Sequence, residues 1–592
     1  MCADCYYATM ENEETGVQIE PDWQQPLFAH NSRYYDGSLV GDPSVRRIRL
    51  LKLLPGQFQE RILCTLTTEV LTPDSSYEAV SYTWGEYPSI HSITINGMPE
   101  FQVAYNVFSV LKRIRRRDSA RVVWVDAICI KQDDLDERSN QVSFMRDIYS
   151  YAQMVLIWLG PCGATALGEL EAEDCDDHGI NRKEGHKFFG TSFEIQCRTS
   201  KWFHNDERQG KWWERAWTLQ EYCVAKHTCV LIGPHVYPYN DVERAAFFAI
   251  ENKSFHTGKI PDVSYPLRSR SILRGVIEVE PPRSMLGSLT FADDNKATDP
   301  RDRIFALLGL MASDTHKIKI DYRLPFEEVC IQTTFCILEQ EKNLNLLLQP
   351  WPGLPDSKYS WVKDFSQPAP PSWQNSQGPK PDWGWQAPGD IIQPCYRVDA
   401  GNFSVTGVFL TTVEVPIPLE SVHQGASLED MAASIEPCKR AVDTFYGRFP
   451  GKYDYKLDFQ RTLVCDNDSH LHTRDIWKGE RDPVSADNFD SHAFRRFMGT
   501  SSYLQSAKST LTGRCFFIAQ DGRLGIANTS HVRYGDQIVL INGLDMPAIL
   551  RRTHQPHHYH WVAEAYIHGV MYGEMNNCYK DGRNGLGDLT LD

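Results

Sequence analysis

The spacing of hydrophobic and polar positions divides the chain into regions of different predicted structure. Between Tyr77 and Gly233, short apolar runs alternate with segments of helical periodicity, which is typical of a parallel sheet with crossover helices. Helical periodicity dominates residues 236–349, and short apolar runs separated by turn sequences occupy residues 396–592. The pattern predicts an α/β fold, with flanking helices on a parallel sheet, followed by a helical region and a β-rich C-terminal region.

Four apolar runs predict the strands of the α/β domain. They are Ala79–Tyr82, Val122–Val125, Met154–Leu159 and Thr228–Ile232. The second run is apolar on both faces, which indicates a central strand. A helix is predicted at residues 212–225, between the third and fourth runs. The domain is predicted to cover residues 76–235, with an irregular acidic insertion at residues 161–210.

The segments outside these regions have simpler patterns. Residues 1–42 are polar and aperiodic and predict a flexible tail, because such a segment can bury little apolar surface. Residues 43–75 contain two apolar runs around a Pro-Gly turn, which predicts a β-hairpin. Residues 350–395 are rich in proline and tryptophan and predict a long irregular connection.

Size and charge narrow the classes of function. With 592 residues the chain exceeds the size of one hydrophobic core, so two or three domains are expected. Its net charge of −16 repels a phosphate backbone and argues against a nucleic-acid partner. The strongest basic patch, at residues 112–117, ends a predicted helix, where cations complement the carbonyl end of the helix dipole.

The cysteines and the apolar runs predict a cytoplasmic protein. The 16 cysteines lack the spacing of a disulfide framework, and the first residues show no signal-peptide pattern. The longest apolar runs, such as Met154–Leu159, are far shorter than the roughly 18–20 residues that span a bilayer. We therefore expect reduced thiols and no membrane partner.

Common catalytic and metal-binding signatures are absent from the sequence. It contains no Walker A loop, no Gly-x-Ser-x-Gly elbow and no His-Glu-x-x-His motif. Cys2 and Cys5 form a pair without a second pair, and the histidines within residues 554–560 lie in a predicted turn. The sequence therefore predicts neither a bound metal nor a resident cofactor.

The predicted helix at residues 212–225 carries the first candidate for chemistry. Trp213, Trp217 and Glu221 follow each other at intervals of four residues, which places them on one helix face. Apolar neighbours raise the pKa of a carboxyl group and prepare it for proton transfer or for stabilising a developing cation. In the alternative interpretation, the tryptophans belong to the core and Glu221 reaches solvent.

The ends of two predicted strands carry further candidates. Asp126 follows the second strand directly, and Trp84 and Gly85 follow the first. Ligands of open parallel sheets bind beyond the carboxyl ends of the strands. There a tryptophan offers a stacking surface for a flat ring, and a glycine allows close approach of the backbone. A turn glycine and a packed tryptophan are the alternative.

Four segments resemble, in order, the fungal heterokaryon-incompatibility domain family. They read YEAVSYTWG (Tyr77–Gly85), VWVDAICIKQDDLDE (Val123–Glu137), QVSFMRDIYSYAQMVLIWLG (Gln141–Gly160) and WERAWTLQE (Trp213–Glu221). Residues 297–310 and the region from 513 to 574 resemble segments that accompany this domain in long family members. The resemblance implies a role in nonself recognition between fungal strains and in the programmed cell death that follows fusion of unlike cells.

The family is in turn similar to the Toll/interleukin-1 receptor (TIR) domain, a flavodoxin-like fold in which some members cleave NAD with a glutamate. Trp217 and Glu221 fall where the TIR pattern has its tryptophan and catalytic glutamate. The resemblance therefore implies NAD as substrate, Glu221 as the catalytic residue, and substrate binding by Trp84, Gly85, Asp126 and Trp217. The insertion at residues 161–210 departs from the shorter TIR chains.

A second function stays open, because many TIR domains are interaction modules without turnover. The chain would then self-associate or bind a protein partner of the incompatibility system. The surroundings of Glu221 distinguish the two functions. A Glu221 that is open to a cleft favours the enzyme, and a Glu221 locked in an ion pair with Arg215 or Lys226 favours the module.

Overall fold

The chain divides into two compact units. The first comprises Met1–Pro282, Asp294–Asp314 and Lys319–Leu324, and the second comprises Arg283–Asp293, Thr315–Ile318 and Pro325–Asp592. The computed structural model describes residues 24–42, 44–84, 89–160, 211–233, 235–244, 264–312, 317–349, 351–355, 357, 359–368, 387, 396–399, 402–419, 422, 428–448, 455–465, 507–508, 510–571, 573–574 and 587–592. The predicted insertion, residues 161–210, and the predicted site residue Gly85 lie outside these ranges.

A mixed sheet forms the centre of the first unit. Among the described residues it has nine strands, in the spatial order β5-β4-β2-β1-β6-β3-β7-β8-β9. The strands are β1 (Arg47–Leu53), β2 (Leu63–Val70), β3 (Glu78–Tyr82), β4 (Ile90–Ile95), β5 (Met98–Ala104), β6 (Arg121–Trp124), β7 (Val155–Trp158), β8 (Thr228–Ile232) and β9 (His235–Pro238).

Four of these strands form the parallel block that the sequence predicts. Strand β3 pairs in parallel with β6 on one side and with β7 on the other, and β7 pairs in parallel with β8. Taken in chain order, the block reads 2-1-3-4, which is the order of flavodoxin-like sheets. Every residue of β3 and β7 is buried, as expected for strands covered on both faces. The predicted α/β fold class is confirmed.

The sheet is not parallel throughout. The predicted hairpin is confirmed, because β1 and β2 pair antiparallel, and β1 also pairs antiparallel with β6. Strand β9 pairs antiparallel with β8 at the other end. The hairpin therefore continues the sheet of the domain that follows it.

Helices of the first unit flank this sheet. They are α1 (Gln24–Asn31), α2 (Tyr105–Ile114), α3 (Asp126–Cys129), α4 (Leu135–Ser143), α5 (Met145–Tyr151), α6 (Lys211–Glu214), α7 (Ala216–Cys223), α8 (Ser264–Val279) and, after α9 of the second unit, α10 (Asp302–Leu308). The Asp134 side chain accepts a hydrogen bond of 3.0 Å from the Glu137 N–H and caps α4.

The predicted single helix at residues 212–225 is two helices. Arg215 separates α6 from α7 with an extended backbone, at φ −77° and ψ 136°. The break follows from pairing with a distant segment, because the Ala216 N–H donates to the Lys296 carbonyl at 2.9 Å and the Lys296 N–H donates to the Glu214 carbonyl at 2.5 Å. Trp213 and Trp217 therefore do not share one continuous helix, and that prediction was wrong.

Residues 24–42 differ from the predicted flexible tail. They contain α1 and a 3-10 turn at Ser32–Tyr34, and Leu27, Tyr34 and Leu39 are buried. The Asn31 side chain donates to the Gln102 carbonyl at 2.7 Å and accepts from the Gln102 N–H at 2.9 Å. An amide side chain thus takes the hydrogen bonds of strand β5 that a neighbouring strand would otherwise form, a contact that periodicity does not predict.

The second unit contains the predicted β-rich region. Its strands are β10 (Tyr396–Asp399), β11 (Asn402–Pro418), β12 (Cys515–Ala519), β13 (Leu524–Ala527), β14 (Gln537–Ile541), β15 (Ala548–Arg552), β16 (His558–Ile567) and β17 (Gly587–Leu591). Its helices among the described residues are α9 (Met285–Phe291), α11 (Phe326–Glu341), α12 (Leu428–Tyr446) and α13 (Tyr455–Leu463), with a 3-10 turn at Asn345–Leu348.

Strand β11 is long enough to close the second sheet on itself. It pairs with β14 through Gly407–Thr412 and with β12 through Val413–Pro418, with register shifts in both pairings. The described strands β11-β12-β13-β16-β15-β14 thereby form a ring around an apolar core. Gly522 and Gly543 take positive φ in the turns between β12 and β13 and between β14 and β15. No helix in the described parts of the chain combines the length and hydrophobicity of a membrane span.

Candidate active site at the carboxyl edge of the first sheet

The order of the parallel strands defines where a ligand would bind in the first unit. The chain passes from β3 to β6 on one side and then returns to β7 on the other side of β3. In such sheets the crevice lies at this reversal, beyond the carboxyl ends of the strands. The segments that reach this edge are residues 83–84 after β3 and Asp126 after β6.

Asp126 organises one part of the edge. Its Oδ1 accepts hydrogen bonds from the Tyr82 hydroxyl and from the Ala127 N–H, both at 2.7 Å. Its Oδ2 accepts a hydrogen bond from the Trp84 indole N–H at 2.7 Å. The structure thus brings together Trp84 and Asp126, as the strand ends predict, and these bonds fix the orientation of the indole ring.

A shallow apolar groove opens beside these residues. Trp84 and Tyr82 form part of its lining, and Leu27 and Phe28 of α1 form another part. The Phe28 ring meets the Trp84 indole edge to face, with ring centroids 5.7 Å apart. Glu221 is not among the residues that line this groove.

Glu221 lies beneath the edge, on α7. It is 3% exposed, and its Oε2 accepts a hydrogen bond from the hydroxyl of Ser81 on β3. The Ser81 Oγ accepts a hydrogen bond of 2.9 Å from the Trp212 indole N–H. Burial raises the pKa of the Glu221 carboxyl to about 7, although Arg215 and the Ser81 hydrogen bond act in the opposite direction.

Two arginines near Glu221, Arg215 and Arg270, donate hydrogen bonds to other groups. Arg215 donates to the Tyr82 carbonyl oxygen. Arg270, which is fully buried, donates to the Thr218 hydroxyl at 2.7 Å and to the Arg215 carbonyl at 3.2 Å. Within the described residues Glu221 forms no ion pair, with Arg215, Lys226 or any other cation. It is therefore neither locked in an ion pair nor open to solvent.

Trp217 lies four residues before Glu221 on the same helix, α7, but contacts a different carboxylate. Its indole donates a hydrogen bond to the buried carboxylate of Asp302, and this bond lowers the pKa of Asp302 against the larger, opposite effect of burial. Tyr322 also donates to Asp302, at 2.5 Å. Trp217 is absent from the lining of the groove beside Trp84.

Trp213 is a core residue. It is fully buried and packs edge to face on Trp212, with centroids 4.7 Å apart, and on Tyr239 at 5.6 Å. The indole that is connected to Glu221, through the Ser81 hydroxyl, is therefore that of Trp212, one residue before Trp213. The break at Arg215 changes the faces that α6 and α7 present, which is why a fixed spacing of four residues misassigned the neighbour.

Sequence analysis missed Ser81 and Trp212. The signal for Ser81 was available, since it is the polar member of the apolar run Ala79–Tyr82 and a polar side chain in a fully buried strand requires a partner. Trp212 gave no such signal because its role depends on the fold. Among the described residues, no three His, Cys, Asp or Glu side chains cluster in a way that could hold a metal.

Comparison with known proteins supports the family resemblance. The profile described as Heterokaryon incompatibility protein (HET) matches residues 77–221, and the profile of the Het-6 beta-barrel domain matches residues 449–583. The chain is 22% identical, over an alignment of 681 residues, to Heterokaryon incompatibility protein 6, OR allele, of Neurospora crassa. The alignment covers 93% of this chain and 97% of that protein. No solved structure matches the chain.

The matched segments agree with the two units. The first match begins at the buried Tyr77 and ends at Glu221, so it spans the parallel strands β3, β6 and β7 and both residues of the Ser81–Glu221 bond. The second match contains β12 to β16 of the closed ring. Residues 77–221 therefore match a heterokaryon-incompatibility domain, and residues 449–583 match a Het-6 beta-barrel domain.

Proposed function

We propose that this protein acts in the cytoplasm as a fungal heterokaryon-incompatibility effector, in nonself recognition and the cell death that follows it. Support comes from its similarity along most of its length to an incompatibility protein of Neurospora crassa, and from the two matched domains. The second unit would supply recognition of a partner, and the first unit would supply the effect.

We further propose that the first unit acts by hydrolysing NAD, with Glu221 as the catalytic residue. The observation that carries this proposal is a carboxyl group with a pKa of about 7, buried without an ion partner in the described structure, beneath the carboxyl edge of a flavodoxin-like sheet. A carboxyl group with such a pKa changes its charge near neutral pH, which suits both stabilisation of a cation and acceptance of a proton.

The reaction would break the bond between the nicotinamide nitrogen and C1′ of the ribose. The nitrogen keeps the electron pair, and positive charge develops on C1′ and the ring oxygen, where an ionised Glu221 stabilises it. Water then adds to C1′ and releases a proton, which Glu221 accepts and passes to solvent. The products are nicotinamide and ADP-ribose, and no resident cofactor is required.

The neighbouring residues would bind the substrate. Trp84, whose indole is fixed by Asp126, offers a ring face for stacking. Gly85 follows it and stays a predicted point of close approach. Trp217 is assigned to holding α7 through Asp302 rather than to stacking.

The second candidate is a module without turnover that self-associates or binds a protein partner. The observation that favours it is the 3% exposure of Glu221, whose carboxylate already has a hydrogen-bond partner inside the protein. In this candidate Glu221 would stabilise the fold and would have no contact with NAD.

The test compares NAD consumption and nicotinamide release by the purified full-length chain and by two variants. Glu221→Gln keeps the size and the acceptor oxygen but removes the charge, and we expect it to lower turnover by about a hundredfold or more. Glu214→Gln is the matched control. Glu214 lies seven residues before Glu221 in the chain, its side chain is 40% exposed, and it pairs with Lys296.

The same variants are expressed in fungal cells to measure killing. Loss of both turnover and killing in Glu221→Gln alone supports the enzyme. Killing that persists in Glu221→Gln, with no NAD consumed by the wild type, contradicts it and supports the interaction module.

A further inference from the structure

We propose that Ser81 is the positioning residue of the candidate site, and that Trp212 directs its hydroxyl hydrogen toward the Glu221 carboxylate. This inference rests on the proposed function, since it concerns how the catalytic carboxyl is held. The three side chains come from strand β3 and from helices α6 and α7. All three are buried, with exposures of 1% for Ser81, 1% for Trp212 and 3% for Glu221.

The direction of the hydrogen bonds follows from the chemistry of the three groups. A serine hydroxyl has one hydrogen to donate, and it can rotate to point that hydrogen at different acceptors. An indole N–H can only donate, so in the 2.9 Å contact between Trp212 Nε1 and Ser81 Oγ the serine must be the acceptor. The hydroxyl hydrogen is then left for Glu221 Oε2, which is the other partner of Ser81.

Trp212 therefore acts on Glu221 through Ser81. Its N–H occupies one lone pair of Oγ and disfavours rotamers that would turn the hydroxyl hydrogen toward the indole. Ser81 in turn donates to one oxygen of the carboxylate, which both orients the group and stabilises its ionised form. Of the nearby arginines, Arg215 donates to the Tyr82 carbonyl and Arg270 to the Thr218 hydroxyl.

Other charged and titratable groups face Glu221 and set the background for this effect. Arg215 and Arg270 lower the pKa of Glu221, and Asp126 raises it. Burial is the largest cause of the raised pKa values of Tyr82 and Tyr149, and the Glu221 carboxylate adds to both. These contributions are electrostatic and stay in place when the Ser81 hydroxyl is removed, so a serine variant isolates the hydrogen bond.

The experiment follows the titration of Glu221 in the full-length protein by infrared difference spectroscopy, with the Glu221→Gln spectrum subtracted to isolate its carboxyl band. We expect Ser81→Ala to raise the titration midpoint by about one pH unit or more, because a hydrogen bond to the ionised form is lost. Trp212→Phe should raise it by a smaller amount, because the hydroxyl remains but is no longer directed.

Two matched controls separate this effect from general loss of packing. Trp213→Phe removes a neighbouring buried indole whose N–H has no hydrogen-bond partner within the described structure. Ser109→Ala removes a buried hydroxyl that donates to the Asn106 carbonyl at 3.0 Å. Neither should move the Glu221 midpoint. If Ser81→Ala does not fold, Ser81→Cys keeps the volume with a weaker donor and should give an upward shift of smaller size.

The inference is overturned if Ser81→Ala, or Ser81→Cys in its place, leaves the midpoint within about 0.3 pH units of the wild type. It is also overturned if Trp213→Phe shifts the midpoint as far as Trp212→Phe does. The titration needs no turnover, so its outcome is independent of the NAD assay. A wild-type protein that consumes no NAD would contradict the proposed reaction while the Ser81 effect on Glu221 could still be present.

Discussion

Glu137 and Glu221 are two buried glutamates of the first unit, and their surroundings differ. Glu137 is fully buried and accepts hydrogen bonds from Arg49 at 2.5 and 3.0 Å, and from the backbone N–H groups of Leu39 and Lys131 at 3.0 and 2.7 Å. Glu221 is also buried but accepts one side-chain hydrogen bond, from Ser81. Burial alone therefore does not mark a reactive carboxyl group. The number and charge of the donors decide whether its ionised form is stabilised.

The two glutamates also differ in what their partners connect. Arg49 contacts the Gly37 carbonyl at 2.9 Å, and its guanidinium lies 4.7 Å from the centre of the Tyr35 ring, so the pair with Glu137 fastens residues 35–39 to the sheet. Every bond of Glu137 is used in holding the fold together. Glu221 holds less of the fold, which leaves its charge available for another purpose.

Replacing Glu137 should have the largest effect on stability. Glu137→Gln leaves Arg49 buried without a counter-charge, and breaking such a pair costs about 3–5 kcal/mol. Hydrogen exchange of the β1 amides measures the loss in the free energy of opening, with Glu214→Gln as the exposed control. A loss below about 1 kcal/mol would show that the Glu137–Arg49 pair contributes no more to stability than an exposed salt bridge does.

The pH dependence of stability should reveal Glu221. Its pKa is about 7 in the folded chain against an ordinary value of 4.5, so between these values the folded chain holds one proton more than the unfolded chain. Stability is therefore highest at low pH in this window and falls as the pH rises toward 7, by about 3 kcal/mol in total.

Glu221→Gln cannot ionise and should lack this decline. Denaturant titrations at several pH values between 5 and 8 measure the free energy of unfolding of both proteins. As the pH rises, the free energy of unfolding of Glu221→Gln should increase relative to that of the wild type. That of Glu214→Gln should not. Parallel curves for the wild type and Glu221→Gln would contradict the raised pKa and remove the contrast with Glu137.

Replacing Trp217 should have the smallest effect. Trp217→Phe removes the hydrogen bond to the buried Asp302 and should cost about 1 kcal/mol, measured by thermal unfolding. Trp213→Phe makes the same change in side-chain size without loss of a hydrogen bond in the described structure. Its loss of stability therefore measures the contribution of packing alone. Equal losses in the two variants would argue against a role of Asp302 in holding α7.

Much of the fold and part of the site could be predicted from the sequence. The runs Ala79–Tyr82 and Val122–Val125 became neighbouring parallel strands, because runs that are apolar on both faces have to be buried in a sheet. The meeting of Trp84 and Asp126 followed from the same reasoning, since the carboxyl ends of parallel strands share one edge. Such contacts depend on strand direction, which local sequence determines well.

The rest depends on contacts between segments that are far apart in the chain. The break at Arg215 is caused by Lys296, and no pattern within residues 212–225 indicates it. The helix α1 reaches the groove through Leu27 and Phe28, although its composition is that of a loose terminus. Periodicity measures which face of a segment is buried and carries no information on the partner that buries it.

The backbone bridge between Arg215 and Lys296 also bears on the order in which the protein is made. Lys296 lies 82 residues after Glu214, to which it bonds, and beyond Arg283–Asp293, which belong to the second unit. A ribosome releases the amino-terminal residues first, so the nascent segment that carries Glu221 stays without this backbone partner until Lys296 emerges. Transfer of residues 77–221 alone into another chain would therefore carry the glutamate without the backbone partner that sets the start of its helix.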